Sequence, residues 1–98
     1  MSLTIKWNLA AVKQFDKAIE YIASISVQNA QKVETGLINA IQKIAQQPEF
    51  YPRDKYKLNN DGSFRAFELH RYRISYRYIK KEIRILRVRH TSMNPLPY

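Results

Sequence analysis

Residues 64–90 read FRAFELHRYRISYRYIKKEIRILRVRH, and the fold class turns on how this stretch is parsed. Tyr72, Ile74, Tyr76 and Tyr78 alternate with Arg73, Ser75 and Arg77, a period of two in aromatic and β-branched residues that fits a half-buried strand. Lys80-Lys81-Glu82 breaks the run and suits a hairpin turn. Residues 83–89 then supply a second strand, with Leu86 and Val88 set against Arg87 and Arg89. Antiparallel pairing of the two puts Arg73, Arg77, Arg87 and Arg89 on one surface and the tyrosines on the other, where they read as core. A one-residue slip or a bulge would send some of these side chains to the opposite face.

Working outward, Leu3, Ile5 and Trp7 alternate with Thr4 and Lys6, which predicts a short first strand joined to the same sheet. Asn8 reads as an N-cap, and Ala11, Phe15, Ala18, Ile22 and Ile25 then recur at helical spacing. Ser26 caps a second helix carrying Ala30, Val33, Leu37, Ile41 and Ile44, and Pro48 closes it. So short a connection makes the two helices an antiparallel hairpin, whose apolar stripes need the oily face of the sheet. Gly36 costs that helix about 1 kcal/mol relative to alanine and reads as a close approach to the first helix. Residues 48–63, with two prolines and Asn-Asn-Asp-Gly, read as an exposed connection. His70, in Leu69-His70-Arg71-Tyr72, reads as a turn residue. The expected class is α+β, in the order β-α-α-β-β-β, with the hairpin packed on a mainly antiparallel sheet.

A chain of 98 residues, 45% apolar and 26% charged, has the composition of one globular domain spanning residues 1–98 rather than of a disordered segment. No run approaches the roughly 18 apolar residues of a membrane span, and there is no apolar leader core, so a cytoplasmic location without membrane contact is expected. Met1-Ser2 fit a native or an appended start equally well. With no cysteine, and two histidines outside metal-ligand spacing, no metal or other cofactor is expected. The net charge of +9 is uneven: residues 1–52 carry five Lys/Arg against four Asp/Glu, and residues 53–98 carry twelve against four. Eight of those twelve are arginines. Arginine beside tyrosine in a sheet suits recognition of phosphate, which nominates Arg77, Arg87 and Arg89 as phosphate-binding and a polyanion, nucleic acid or acidic protein segment, as partner.

The strand ending Ile5-Lys6-Trp7, Tyr21-Ile22 in the first helix, Pro48 after the second, Tyr72-Arg73-Ile74-Ser75-Tyr76 and Ile85-Leu86-Arg87-Val88-Arg89-His90 together resemble the RelE/ParE superfamily of toxins of bacterial type II toxin-antitoxin systems. The resemblance covers nearly the whole chain. It implies a plasmid-stabilisation type of toxin that arrests growth when free and is silenced by a cognate antitoxin in a hetero-oligomer. RelE-like members cut mRNA on the ribosome without a metal, whereas ParE-like members poison DNA gyrase and are not nucleases. By the same resemblance Arg73 matches an arginine that contacts the scissile phosphate in the nucleases, and Arg65 lies near a lysine position. His90 matches an imidazole of some ribosome-dependent relatives, and Tyr98 a tyrosine near the end of several. Ala66 and Phe67 stand where the nucleases carry a second lysine, a departure from their pattern.

As chemistry, the nuclease reading needs a proton acceptor for a ribose 2′-hydroxyl, a donor to the leaving oxygen and cations around the developing charge. An imidazole at His90 fits base or acid, and Arg73 with Arg65 or Arg89 fits the charge. The bland alternative for His90 is an ordinary hydrogen bond at a strand end. A gyrase-binding toxin, and a basic nucleic-acid-binding module without toxicity, are the competing classes.

Overall fold

The computed structural model describes residues 3–98; the Met1-Ser2 question lies outside them. Strand β1 (Thr4–Trp7) is followed by helices α1 (Leu9–Ile25) and α2 (Val27–Ile44), then strands β2 (Phe64–Leu69), β3 (Tyr72–Ile79) and β4 (Glu82–His90). The sheet order is β1-β4-β3-β2, with β1 parallel to β4 and the other pairs antiparallel. The expected β-α-α-β-β-β order and α+β class are what the chain adopts.

The helices bury their stripes on one face of the sheet. Ala11, Phe15 and Ala18 of α1 and Val33, Leu37, Ile41 and Ile44 of α2 meet Phe67, Tyr72, Ile74, Tyr76, Ile83, Ile85 and Val88. Burying each large apolar side chain stabilises by roughly 1.5–3 kcal/mol, which is why a chain without disulfides holds together. Trp7 closes one end of this core, edge-on to Phe15 at 5.4 Å. The stripe read along α1 runs one turn too far: Ile25 is 73% exposed, because packing against the sheet ends at the half-buried Ile22. Ser26 caps α2 as expected, its hydroxyl accepting from the Asn29 N–H at 3.1 Å. Asn8 holds the N-cap position of α1 without capping it; its Oδ1 instead accepts from Arg84 Nη1 at 3.4 Å.

Two features decide where the arginines point. The β2–β3 connection is a two-residue turn with His70 and Arg71 both at positive φ (52° and 69°), the left-handed pair a tight hairpin requires. In β4 the register shifts: Tyr76 pairs with Ile85 and Ser75 with Arg87, which leaves Leu86 as the extra residue of a β-bulge. Before the bulge Ile83 and Ile85 face the helices; after it Val88 does. Without the bulge, strict alternation from Ile85 would turn Arg87 and Arg89 into the core. Leu86 therefore does not alternate with the arginines as the sequence suggested.

Gly36 is close-packed against His70 rather than against α1, since a Cβ built there would lie 2.6 Å from His70 Nε2. Gly36→Ala should accordingly be near neutral, the helix gain of about 1 kcal/mol being spent on displacing the imidazole. In a His70→Ala background the same change should stabilise by about 1 kcal/mol. Denaturant midpoints of the four proteins measure both; equal effects in the two backgrounds would show that the contact carries no energy.

Candidate functional site: an arginine face closed by Asp54 and Tyr98

The face of the sheet away from the helices carries Arg73, Ser75 and Arg77 of β3 and, past the bulge, Arg87 and Arg89 of β4. Arg73 stands directly opposite Arg89, a like-charge pair that is unfavourable unless compensated. Two carboxylates compensate it: Arg73 Nη2 donates to Asp54 Oδ1 at 2.8 Å and Nη1 to Glu68 Oε2 at 2.9 Å. Glu68 is the register partner of Arg73 on β2. Asp54 comes from the segment before β2 and is only 1% exposed.

Asp54 is the hub of this face. Its Oδ1 also accepts from the Tyr56 N–H at 3.0 Å, and its Oδ2 accepts from the Tyr98 hydroxyl at 2.7 Å. Burial by itself would raise the Asp54 carboxyl, but the hydrogen bonds from Tyr98, Arg73 and the Tyr56 N–H, with the Arg73 charge, hold it below the ordinary aspartate value. The Tyr98 phenol is pushed up, by burial first and then by its bond to Asp54. Burial lowers the Arg87 guanidinium.

Residues 94–98 lie across these side chains as a strap. Arg87 Nη2 donates to the Leu96 carbonyl at 2.6 Å, and Arg89 Nη2 to the Asn94 carbonyl at 3.2 Å. The Arg87 guanidinium stacks over the Tyr98 ring at 4.1 Å. The Tyr98 N–H donates to the Tyr56 carbonyl at 3.0 Å, and the Leu58 N–H donates to the Tyr98 carbonyl at 2.6 Å. Residues 48–63 are thus more than the exposed connection expected: the Asp54 N–H donates to the Phe64 carbonyl at 2.8 Å, and Arg53 bridges to Arg65. The segment lies along the outer edge of β2.

The residues singled out from sequence fall into three groups. Arg73, Arg87, Arg89 and Tyr98 are brought together. Arg77 shares their face but is tied elsewhere, Nε to Ser63 Oγ at 3.0 Å, with its guanidinium over Phe64 at 4.6 Å. Arg65 lies on the other side of the sheet, and His90 stands at the end of β4. Arg65 pairs with the buried Tyr76 and donates to the Tyr51 carbonyl at 2.8 Å, with Glu49 at 3.4 Å. His90 pairs with Tyr72, whose ring it meets edge-on at 5.1 Å. Its Nδ1 accepts from the Ser92 N–H at 3.0 Å and lies 2.7 Å from Ser92 Oγ, which places the proton of the neutral ring on Nε2. It lines a groove of about 500 Å³ with Gln14, Lys17, Tyr21, Tyr72 and Met93, and from the end of β4 it also borders a small cavity of about 50 Å³ with Arg73, Arg87 and Arg89. Asp54 and Glu68 were missed. For Glu68 the signal was present, since it alternates with Ala66 on the strand facing Arg73; a lone aspartate in Arg53-Asp54-Lys55 carries none.

Residues 5–95 match the family described as ParE toxin of type II toxin-antitoxin system, parDE. The chain belongs to the ParE toxin family. No curated protein sequence matches it. This ParE-family chain has the fold of a chain in the chromosomal ParDE TA system from P. aeruginosa, with TM-score 0.69 and 20% identity over 91% of this chain and 96% of that one. It is similar as well to a chain of the toxin-antitoxin complex RelBE2 from Mycobacterium tuberculosis, with TM-score 0.58 and 18% identity over 92% and 99%. The RelE/ParE superfamily resemblance therefore stands, as a toxin of the type II class. Among the described residues no helix is long and apolar enough to cross a membrane.

Proposed function

We propose that this ParE-family toxin arrests growth by binding DNA gyrase rather than by cutting mRNA, and that a cognate antitoxin silences it. The observation carrying the choice is the register of β3 on β4. Tyr72 pairs with His90 and Arg73 with Arg89, so the imidazole and the guanidinium that a nuclease would bring to one phosphate leave the sheet at successive register positions, which alternate in direction. Arg65 is engaged by Tyr51 and Glu49. A general acid or base must come within hydrogen-bond reach of the same reacting group as its electrostatic partner, and the His90 imidazole is held by Ser92 and Tyr72 instead. What the surface offers instead is protein docking: Leu9, Tyr21, Ile25 and Val27 are exposed apolar anchors along the helical hairpin, beside a strongly basic sheet. An antitoxin segment with apolar anchors and acidic residues would complement both.

Induction in growing bacteria, with DNA breaks and RNA ends read in parallel, tests the proposal. Growth arrest with broken plasmid or chromosomal DNA and unchanged RNA ends is expected. Codon-phased mRNA cleavage without DNA breaks would replace gyrase with the ribosome as target. Normal growth at confirmed soluble expression would leave a basic binding module.

A further inference from the structure

We propose that residues 94–98 are a pseudo-ligand: they fill, in cis, an oxyanion-binding face formed by Arg73, Ser75 and Arg87, and the Tyr98–Asp54 hydrogen bond is the latch that keeps it closed. The first observation is a set of orphaned donors. Four buried side-chain polar atoms lack a hydrogen-bond partner among the described residues, and three of them, Arg73 Nε, Ser75 Oγ and Arg87 Nε, share this face, the fourth being Arg65 Nε on the other. Those three come from one place, since Ser75 is the register partner of Arg87 and Arg73 is the next outward-facing residue of β3. Ser75 is 1% exposed; its hydroxyl lies near enough to Tyr98 to influence the phenol but makes no hydrogen bond of good geometry. Buried polar groups are satisfied in all but a few cases, and three unsatisfied donors on adjacent strand positions describe a site closed over without its ligand.

The second observation is the character of what covers them. Arg87 and Arg89 receive only neutral carbonyls, from Leu96 and Asn94, where a guanidinium binds an oxyanion about twice as strongly as a neutral acceptor. Asp54 and Glu68 both make their ion pairs with Arg73, and Arg87 feels the Asp54 charge without a direct bond to it. The third is how exposed the cover is. Residues 91–97 are all exposed, and the Tyr98 side chain provides the one carboxylate bond, to Asp54. None of residues 94–98 belongs to the hydrophobic core. The latch is independent of the cellular target proposed above.

Tyr98→Phe removes one oxygen and leaves the ring on Arg87, and inorganic tripolyphosphate serves as the oxyanion probe on the full chain. Losing a hydrogen bond to a charged acceptor should raise the open population roughly tenfold or more. Amide exchange at residues 58 and 98, which bond across the strap, should accelerate by that factor, and exchange at Ile74 should not change. The apparent tripolyphosphate Kd should tighten in proportion, because it scales inversely with the open fraction. Adding Arg87→Ala should abolish the gain. Unchanged affinity, or weaker binding by Tyr98→Phe, would overturn the proposal, the latter by making Tyr98 part of the site. A uniform rise in exchange that includes Ile74 would overturn it too, by showing loss of the fold rather than of a latch.

Discussion

Asp54→Ala should cost this protein about 3–5 kcal/mol, the penalty for leaving one member of a buried ion pair without its partner. On a domain of this size that lowers Tm by roughly 15 °C or more. The Asp54 side chain is fully buried and that of Arg73 is 16% exposed, and the substitution strips Arg73, Tyr98 and the Tyr56 N–H of their shared acceptor. Arg73→Ala should be comparably damaging, since it buries an unpaired carboxylate. Replacing both, as Asp54→Leu with Arg73→Met, should cost less than either single change, because two apolar side chains need no counterion. Thermal melts of wild type, Asp54→Leu, Arg73→Met and the double replacement form the cycle; simple additivity would show that the pair is not coupled. The pH dependence has a fixed sign. Asp54 titrates below its unfolded value, so its contribution is complete above about pH 4 and is lost as pH falls through the folded value. Asp54→Asn should flatten the stability profile in that acid window and leave the neutral region parallel to wild type.

Much of the fold was readable because most of its signals are local. Period-two tyrosines, a serine that caps, and stripes at three and four residues each report on neighbours in the chain. The faces of the sheet were less readable, and the reason is Leu86. Ile83 and Ile85 stand at odd positions and Val88 at an even one, so the apolar parity of β4 changes once, and only a bulge reconciles that with a single buried face. The change of parity is legible in the sequence; which residue bulges is not. Arg65 illustrates a second limit. Facing it with Tyr76 rather than with Arg73 depends on the register of β2 on β3, which the His70-Arg71 turn sets. Nearness in sequence to Phe64 and Ala66 says nothing of it. Asp54 marks the third limit, since its partners at positions 73 and 98 are distant and a single carboxylate between cations has no pattern.

These placements make His90→Ala the decisive functional variant. If His90 were the acid or base of an RNA-cleaving site, its loss would lower cleavage by roughly 10²-fold or more. The structure instead gives its imidazole Ser92 and Tyr72 as partners, so His90→Ala should keep full growth arrest and the wild-type pattern of DNA breaks. Arg73→Ala should lose growth arrest, and the cause separates from chemistry by the cycle above: the Asp54→Leu/Arg73→Met protein, refolded but without the guanidinium, should recover arrest if Arg73 only holds the face together. A 10²-fold loss of RNA cleavage in His90→Ala, with the double replacement folded yet inactive, would instead assign both residues to one reaction and require the strap and β4 to rearrange before it occurs. The two outcomes differ in every readout, because a docking toxin needs Arg73 for its fold and a nuclease needs its charge.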